Sequence, residues 1–381
     1  MEVYLDNSAT TQPYEKVAQA VYDTMIKTYG NASSLHRMGK AAEDLLTECR
    51  ETISSTVYCT PDELYFTSGG TESDNMAIIG YAMANRRRGN RVITQVTEHK
   101  AVLESFAQLE KNGFDVQYIG VDSNGVVDTE ALRDAIDDNT ILVSLMAVNN
   151  ETGAIQPIDA VSAMIDHSRC AFHVDAVQAY GKMSINVKKS NIDMLTISAH
   201  KIHGPNGVGA LYVKKGIRIS PIITGGQQEK SLRSGTENLP GIVGFATAAK
   251  LIHSNMADRI SSVAALRGKL AAGLGAIPGA VINSPENSLH CILNVSFTGV
   301  RSEVLLHVLE SKGIYVSSGS ACNSKKNSAS YVLTAMNLGR ERVDSAIRFS
   351  LSEFNTAEEI QYVCDVAAKE VPLQAQIMNR R

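Results

Sequence analysis

The 381-residue chain is short of clustered cysteine: its six cysteines (Cys49, Cys59, Cys170, Cys291, Cys322 and Cys364) are scattered and contain no C-x-x-C pair. That spacing argues against a disulfide framework and against a cysteine-ligated zinc site, and no metal is expected. No segment approaches the roughly 20 apolar residues of a membrane-spanning helix. The amino terminus, Met1-Glu-Val-Tyr-Leu-Asp6, has neither the basic segment nor the apolar stretch of a secretory signal, so the expected location is the cytoplasm. Neither sign of charge dominates, since 36 Lys plus Arg against 40 Asp plus Glu leave a net charge of −4. No global field therefore attracts nucleic acid, and a tRNA or DNA partner would have to be reached through another protein or a local patch. Internal repeats, low-complexity tracts and long charged runs are missing as well. What remains, 44% hydrophobic and 20% charged, is a globular composition long enough for two domains, or for one large α/β domain with an appendage.

Short apolar, β-branched runs punctuate most of the chain: Leu64 to Thr67, Arg91 to Gln95, Val116 to Ile119, Ile141 to Val148, Ala171 to Val174, Met194 to Ser198 and Val208 to Val213. Amphipathic stretches such as Glu72 to Arg87, Ala101 to Lys111 and Ile158 to His167 lie between several of them. Strands alternating with helices imply a mostly parallel sheet covered on both faces, with ligands collecting where strands end and loops begin. Beyond about Leu251 the pattern changes. An Ala- and Leu-rich helix (Arg259 to Leu274) is followed by strands near Cys291 to Phe297, Ile314 to Ser317 and Ser345 to Leu351, with helices at Ser302 to Ser311 and from Thr356. This reads as a smaller α+β domain, with the boundary near residue 255.

One stretch carries chemistry that a bare scaffold does not need. Ser198-Ala-His-Lys201-Ile-His-Gly-Pro205 places a lysine where the run Met194 to Ile197 stops and a polar turn begins. A lysine sheltered there can lose its proton and act as an amine nucleophile. Upstream, His173-Val-Asp175-Ala-Val-Gln178 delivers a carboxylate at another apolar-to-polar transition. An amine to hold a carbonyl cofactor and an acid to pair with a pyridinium nitrogen are what pyridoxal 5'-phosphate requires of its protein. Thr67-Ser-Gly-Gly70-Thr71 opens a helix whose free N–H groups, with the Thr71 hydroxyl, suit a phosphate, to which Ser198 and His200 could add side chains. Taken alone, such a glycine-rich turn is more often only a connection.

Four further positions complete the pattern. His99 follows the Arg91 strand and could lie against a planar ring or shuttle a proton. Asn150 sits in the strand-closing turn Asn149-Asn-Glu-Thr-Gly153. Arg348 is a charge inside an apolar strand and needs an anionic partner, for which a substrate carboxylate is a natural candidate. Cys322, in Ser317-Ser-Gly-Ser-Ala-Cys322-Asn-Ser-Lys-Lys, belongs to a run too polar to build a core, and Lys325 and Lys326 favour its thiolate. The other five cysteines are expected to be small buried hydrophobes.

Together these motifs resemble the NifS/IscS-type cysteine desulfurases, class V members of the fold type I aminotransferase superfamily. The resemblance runs from Tyr4-Leu-Asp-Asn-Ser-Ala-Thr-Thr11 through Thr97-Glu-His99, Leu232-Arg-Ser-Gly-Thr-Glu-Asn238 and Ser318-Gly-Ser-Ala-Cys322 to Ile347-Arg-Phe-Ser350. It implies a seven-stranded, mostly parallel large domain over residues 13–255 and a small domain made of 1–12 plus 256–381, with the cysteine on a mobile loop near 317–330. It also implies roles. Lys201 would hold pyridoxal phosphate covalently and move protons at the substrate Cα, and Asp175 would keep the ring nitrogen protonated. His99 would stack on the ring and Gln178 would bond its phenolic oxygen. Gly70, Thr71, Ser198 and His200 would hold the phosphate, joined by Thr236 from a second copy in a homodimer. Asn150 and Arg348 would grip the carboxylate of L-cysteine, and Cys322 would take its sulfur as a persulfide for an acceptor protein of iron–sulfur cluster assembly or tRNA thiolation. Selenocysteine lysis or another class V reaction is the alternative. Gly70 stands where alanine is more usual.

Overall fold

The structure is a computed structural model that describes residues 1–318 and 329–379. Thirteen strands occur among the described residues: β1 (Val3–Tyr4), β2 (Leu64–Thr67), β3 (Arg91–Gln95), β4 (Asp115–Ile119), β5 (Thr140–Met146), β6 (Ala171–Asp175), β7 (Met194–Ser198), β8 (Gly209–Val213), β9 (Ala280–Ile282), β10 (Ile292–Phe297), β11 (Ile314–Tyr315), β12 (Ser317–Ser318) and β13 (Ala346–Ser350). Seven of them form one sheet in the order β2-β8-β7-β6-β5-β3-β4. Only β8 runs against the rest, pairing antiparallel with both β2 and β7. The expected mostly parallel seven-stranded sheet is therefore present, and the carboxyl ends of β2, β3, β5, β6 and β7 share one edge.

Neighbouring residues of the central strands point to opposite faces, and both faces are apolar, so the runs read as continuous rather than alternating. Ile93, Val143, Phe172 and Leu195 join one core with Ile53 and Phe245, whereas Val92, Leu142, Ala171 and Met194 join another with Ile78 and Phe106. The first core is closed by helices Arg37–Val57 and Leu239–Ser254, and the second by the helical stretch from Gly70 and by Lys100–Lys111. Each such buried aliphatic or aromatic side chain contributes about 1.5–3 kcal/mol relative to exposure. The stretch from Gly70 contains a π-helical turn at Met76–Gly80. The region expected to be helical over Ile158 to His167 stops at Ser162.

A second sheet has the order β12-β13-β10-β9 and is antiparallel throughout. The single strand expected over Ile314 to Ser317 is instead two. β11 pairs in parallel with the amino-terminal β1, and β12 turns to pair with β13. This division carries the amino-terminal residues into contact with the carboxyl-terminal part and brings Ser317 opposite Arg348. Among the described residues no helix is long and apolar enough to cross a membrane.

Candidate active site

The loops that leave β2, β3, β5, β6 and β7 meet around a cavity of about 430 Å³. Its wall contains Gly70, Thr71, His99, Asn150, Asp175, Gln178, Ser198, His200 and Lys201, and Arg348 reaches it from the second sheet. Residues drawn from 279 positions of sequence (348 − 70 + 1) thus converge on one site. Thr236 is exposed and is not in this wall. Cys322 lies outside the described residues, but Ser318 and Ala329, the described residues on either side of its segment, both line the cavity.

Lys201 ends a tight turn that follows β7, and its Nζ donates to the carbonyls of Ser8 at 2.5 Å and Ala9 at 2.7 Å. The same Ser8 carbonyl accepts from Gln178 Nε2 at 2.9 Å. His99 caps helix Lys100–Lys111, its Nδ1 accepting from the Ala101 N–H at 3.2 Å. Burial above all, with Lys201 and Lys100 nearby, pulls the His99 pKa down against the opposing pull of Asp175. A neutral ring in this place suits stacking. His200 is brought down to about 4 by burial and by the charges of Lys201 and Lys182.

Three buried carboxyls interact here: Asp74 and Asp175, which line the cavity, and Glu98 behind them. Burial, with Asp175 adding repulsion, drives Asp74 and Glu98 well above the ordinary carboxylate range. Asp175 is also raised by burial, but His99, the Val177 N–H and Lys201 all favour its anion. Asp175 is thus the member of the trio best placed to carry the charge, and among the described residues its carboxylate accepts one hydrogen bond, from Val177 N at 2.9 Å. A buried anion with so little support is a receptor for a cationic group. Beneath it, Ser144, His173 and Thr196 are joined across three strands by hydrogen bonds of 2.8 and 3.0 Å, with His173 held neutral by burial at about 3.

Five buried polar atoms of wall residues lack a hydrogen-bond partner among the described residues: Ser8 Oγ, Asp74 Oδ1, Asn150 Oδ1, Ser198 Oγ and Arg348 Nε. Such atoms are rare in finished interiors and mark where a polar ligand belongs. Ser198 Oγ is near the Gly69–Gly70 turn, and Asn150 and Arg348 are neighbours, one following β5 and the other on β13, joined by a hydrogen bond from Arg348 to the Asn150 carbonyl. Residues and gaps together fit a phosphorylated, nitrogen-protonated pyridine with an amino acid beside it. The expectation for Arg348 needs one correction. Its guanidinium already has an anionic partner, Asp6, at 2.6 Å, and donates to the Asn150 carbonyl at 3.0 Å. A substrate carboxylate would therefore share Arg348 with Asp6.

Sequence reasoning missed Asp6, Ser8, Ala9 and Glu151 as wall residues. Asp6, Ser8 and Ala9 enter only because β1 crosses to β11. Glu151 gave no signal beyond its place beside Asn150. Its buried carboxylate accepts from the Ser330 hydroxyl at 2.5 Å, and burial pushes it up to about 7 despite that bond and the nearby Arg348 charge. A carboxyl raised from 4.5 to about 7 on folding binds its proton more tightly in the native state. It lowers stability progressively as pH rises between those values, by roughly 3 kcal/mol in total. Glu151→Gln, which mimics the protonated acid, should gain that much on the wild type between pH 4.5 and 7.5 in urea denaturation. A constant difference across that range would contradict the assignment.

The Gly69–Gly70 turn also has a local reason. Gly69 has φ +150° with ψ −173°, a region open essentially to glycine alone. A Cβ on Gly70 would lie 2.8 Å from Val177 Cγ2, and a β-branched side chain has little freedom to withdraw. A backbone contact to phosphate accommodates glycine at this position, and Val177 adds a packing reason for it. Gly70→Ala should destabilise the protein by about 1–3 kcal/mol, and adding Val177→Ala should restore most of the loss in a denaturant titration.

Among the described cysteines, Cys49, Cys170 and Cys291 are buried as expected, whereas Cys59 and Cys364 are half-buried. Burial pushes the thiols of Cys49, Cys59 and Cys170 up to about 12 and raises Cys291 and Cys364 as well. None of these five is a ready thiolate.

The family model for aminotransferase class-V matches residues 3–363. The chain belongs to the aminotransferase class-V family. Within that family it is 44% identical over 370 residues to cysteine desulfurase IscS of Methanosarcina thermophila, covering 97% of this chain and 92% of that protein. A solved NifS-like protein superposes with TM-score 0.93 at 40% identity, over 98% of this chain and all (100%) of that one. A solved structure described as SspA in complex with cysteine gives TM-score 0.83 at 33% identity, covering 93% of this chain and 100% of that chain. The α/β architecture with its mostly parallel sheet is that of the class-V family.

Proposed function

We propose that this class-V protein is a pyridoxal 5'-phosphate-dependent cysteine desulfurase that converts L-cysteine to L-alanine and retains the sulfur as a persulfide on Cys322. The observation that carries the reading is the convergence of Lys201, Asp175 and the unpartnered Ser198, Asn150 and Arg348 atoms on one cavity that also receives both described flanks of the Cys322 segment. Pyridoxal phosphate supplies a sink for the negative charge that develops at the substrate Cα. The chain's residues do the rest. Ser198, His200, Thr71 and the backbone at Gly70 hold the phosphate. Asp175 supports the protonated ring nitrogen, His99 covers the ring face, and Gln178 donates to its phenolic oxygen.

Arg348 and Asn150 orient the substrate carboxylate so that its Cα proton faces Lys201, whose amine moves it. Cys322 Sγ then forms an S–S bond with the substrate sulfur while the Cβ–S bond breaks. The electron pair left on Cβ takes a proton, giving alanine and a persulfide, so that atoms balance without an outside oxidant. Cys322 is four residues from Ser318 (322 − 318), a length of chain that spans at most about 14 Å. The persulfide is then passed to an acceptor protein. In this reading residues 13–255 are the cofactor domain, 1–12 plus 256–381 the small domain, and the enzyme works in the cytoplasm.

A homodimer sharing Thr236 belongs to the same reading. Tyr22, Met25, Ile26, Tyr29, Leu35 and Met38 are exposed on and after helix Glu15–Lys27, an apolar density that a monomer rarely leaves to water. That helix packs against Leu239–Ser254, which begins just beyond the exposed Thr236. Sedimentation should give about twice the 41.0 kDa chain mass; a monomer at micromolar concentration would remove the shared site. Activity is tested by alanine released from L-cysteine with excess dithiothreitol by the cofactor-loaded protein. Absence of alanine under those conditions would turn the reading towards another class V reaction.

A further inference from the structure

Gln178 has two ends of opposite polarity, and the end that faces the cavity decides whether the wall offers a donor or an acceptor there. Amide oxygen and nitrogen are nearly the same size, so the orientation is set by partners. Two partners set it here. Lys182 Nζ donates to Gln178 Oε1 at 3.2 Å, and Gln178 Nε2 donates to the Ser8 carbonyl at 2.9 Å. A flipped amide would face the lysine's N–H groups with N–H groups and the Ser8 carbonyl with an oxygen, losing both bonds. Lys182 has three donors and no acceptor, so it pairs with the oxygen end of the amide and rejects the nitrogen end.

The position of Lys182 is unusual for a residue with no task. It lines a second, small cavity of about 30 Å³ behind the site, together with Lys201, His203, His290 and Cys291. The groups whose charges act on it are Cys291 and Arg348, and the carboxylate that lines the same cavity, Glu353, is paired with Arg259. An enclosed ammonium without a carboxylate of its own carries a desolvation cost that the fold alone does not require. Its field reaches the catalytic side, helping to hold His200, His203 and His290 neutral. The line Lys182 Nζ, Gln178 amide, Ser8 carbonyl, Lys201 Nζ is continuous in hydrogen bonds.

We propose that Lys182 is a positioning residue for the cofactor: by holding Gln178 Oε1 it turns the amide's N–H end to the cavity and, with its own charge behind, fits the site to an anionic ring oxygen rather than a hydroxyl. This rests on the reading of the cavity as a pyridoxal phosphate site with Gln178 beside the phenolic oxygen.

The test is a pyridoxal phosphate titration of the apoprotein, followed by its visible absorbance, for the wild type, Lys182→Met, Lys182→Arg, Gln178→Leu and the Lys182→Met/Gln178→Leu double variant. Circular dichroism checks folding. Lys182→Met should weaken cofactor binding about tenfold, the size of one lost charge-assisted bond, and shift absorbance from the long-wavelength to the short-wavelength band as the ring oxygen takes a proton. Lys182→Arg should stay within about threefold of the wild type, since it keeps charge and donors. In the Gln178→Leu background, Lys182→Met should add less than about twofold, because residues acting through one another are not additive. An unchanged affinity and spectrum in Lys182→Met, a fully additive double variant, or failure of arginine to rescue would overturn the inference while leaving the cofactor site intact. Failure of the wild type to bind pyridoxal phosphate, or no effect of Gln178→Leu, would instead remove the reading on which it stands, and the inference with it.

Discussion

Lys201→Ala is expected to leave a folded protein that no longer retains the visible absorbance of covalently held cofactor, with alanine release from L-cysteine lowered by at least about 10³-fold. Two losses combine in that figure. The amine that holds the cofactor is gone, and so is the base that moves the Cα proton, a role worth about 10²–10⁴ in rate. Stability should change by no more than about 1 kcal/mol: of the two carbonyls that Lys201 serves, Ser8 keeps its bond from Gln178, and Ala9 is exposed enough to take water. Lys201→Arg is the informative companion. It retains a charge for the Ser8 and Ala9 carbonyls yet cannot form the covalent link, so it should fail as fully as alanine. A persistent visible band that survives dialysis in either variant would remove Lys201 from its assigned place, whatever the residual rate.

Lys201 and Asp175 were legible in the sequence because the same rule produces both. A parallel strand buried on both faces is a short apolar run, and the first polar residues after it fall on the edge where ligands bind. His99, Asn150 and the Gly70–Thr71 turn follow from β3, β5 and β2 by the same rule. Arg348 was legible for a different reason, as a charge where the strand pattern demands an apolar residue. What escaped depends on pairing between distant segments. Nothing local announces that β1 will dock on β11, yet this pairing brings Asp6 to Arg348 and the Ser8 and Ala9 carbonyls to Lys201. Glu151 is equally silent, since its raised pKa comes from burial and from Ser330 far along the chain. Val177 escaped because the obstacle it presents to a side chain at position 70 is a matter of packing, whereas the reading of that turn considered only its backbone.

Cys322→Ala should abolish alanine release from L-cysteine, to below about a hundredth of the wild type, as removal of a nucleophile from an otherwise complete site does. The variant should still bind pyridoxal phosphate and still change its visible spectrum on addition of L-cysteine, because Lys201, Asp175, Arg348 and Asn150 are untouched. That pairing of retained binding with lost turnover separates the thiol from the cofactor machinery. No described cysteine can substitute: Cys49, Cys59 and Cys170 hold their protons to about 12, and Cys291 and Cys364 are raised by the same burial. Selenocysteine gives the sharper comparison. The C–Se bond is weaker than the C–S bond and can break with its electron pair left on Cβ, releasing selenium at the elemental level without a nucleophile, so a site that works this way would spare alanine formation from selenocysteine in Cys322→Ala while losing it from cysteine. Loss of both places the thiol in every turnover. Equal alanine from the variant and the wild type with L-cysteine would take Cys322 out of the reaction and leave this cavity to another class V chemistry.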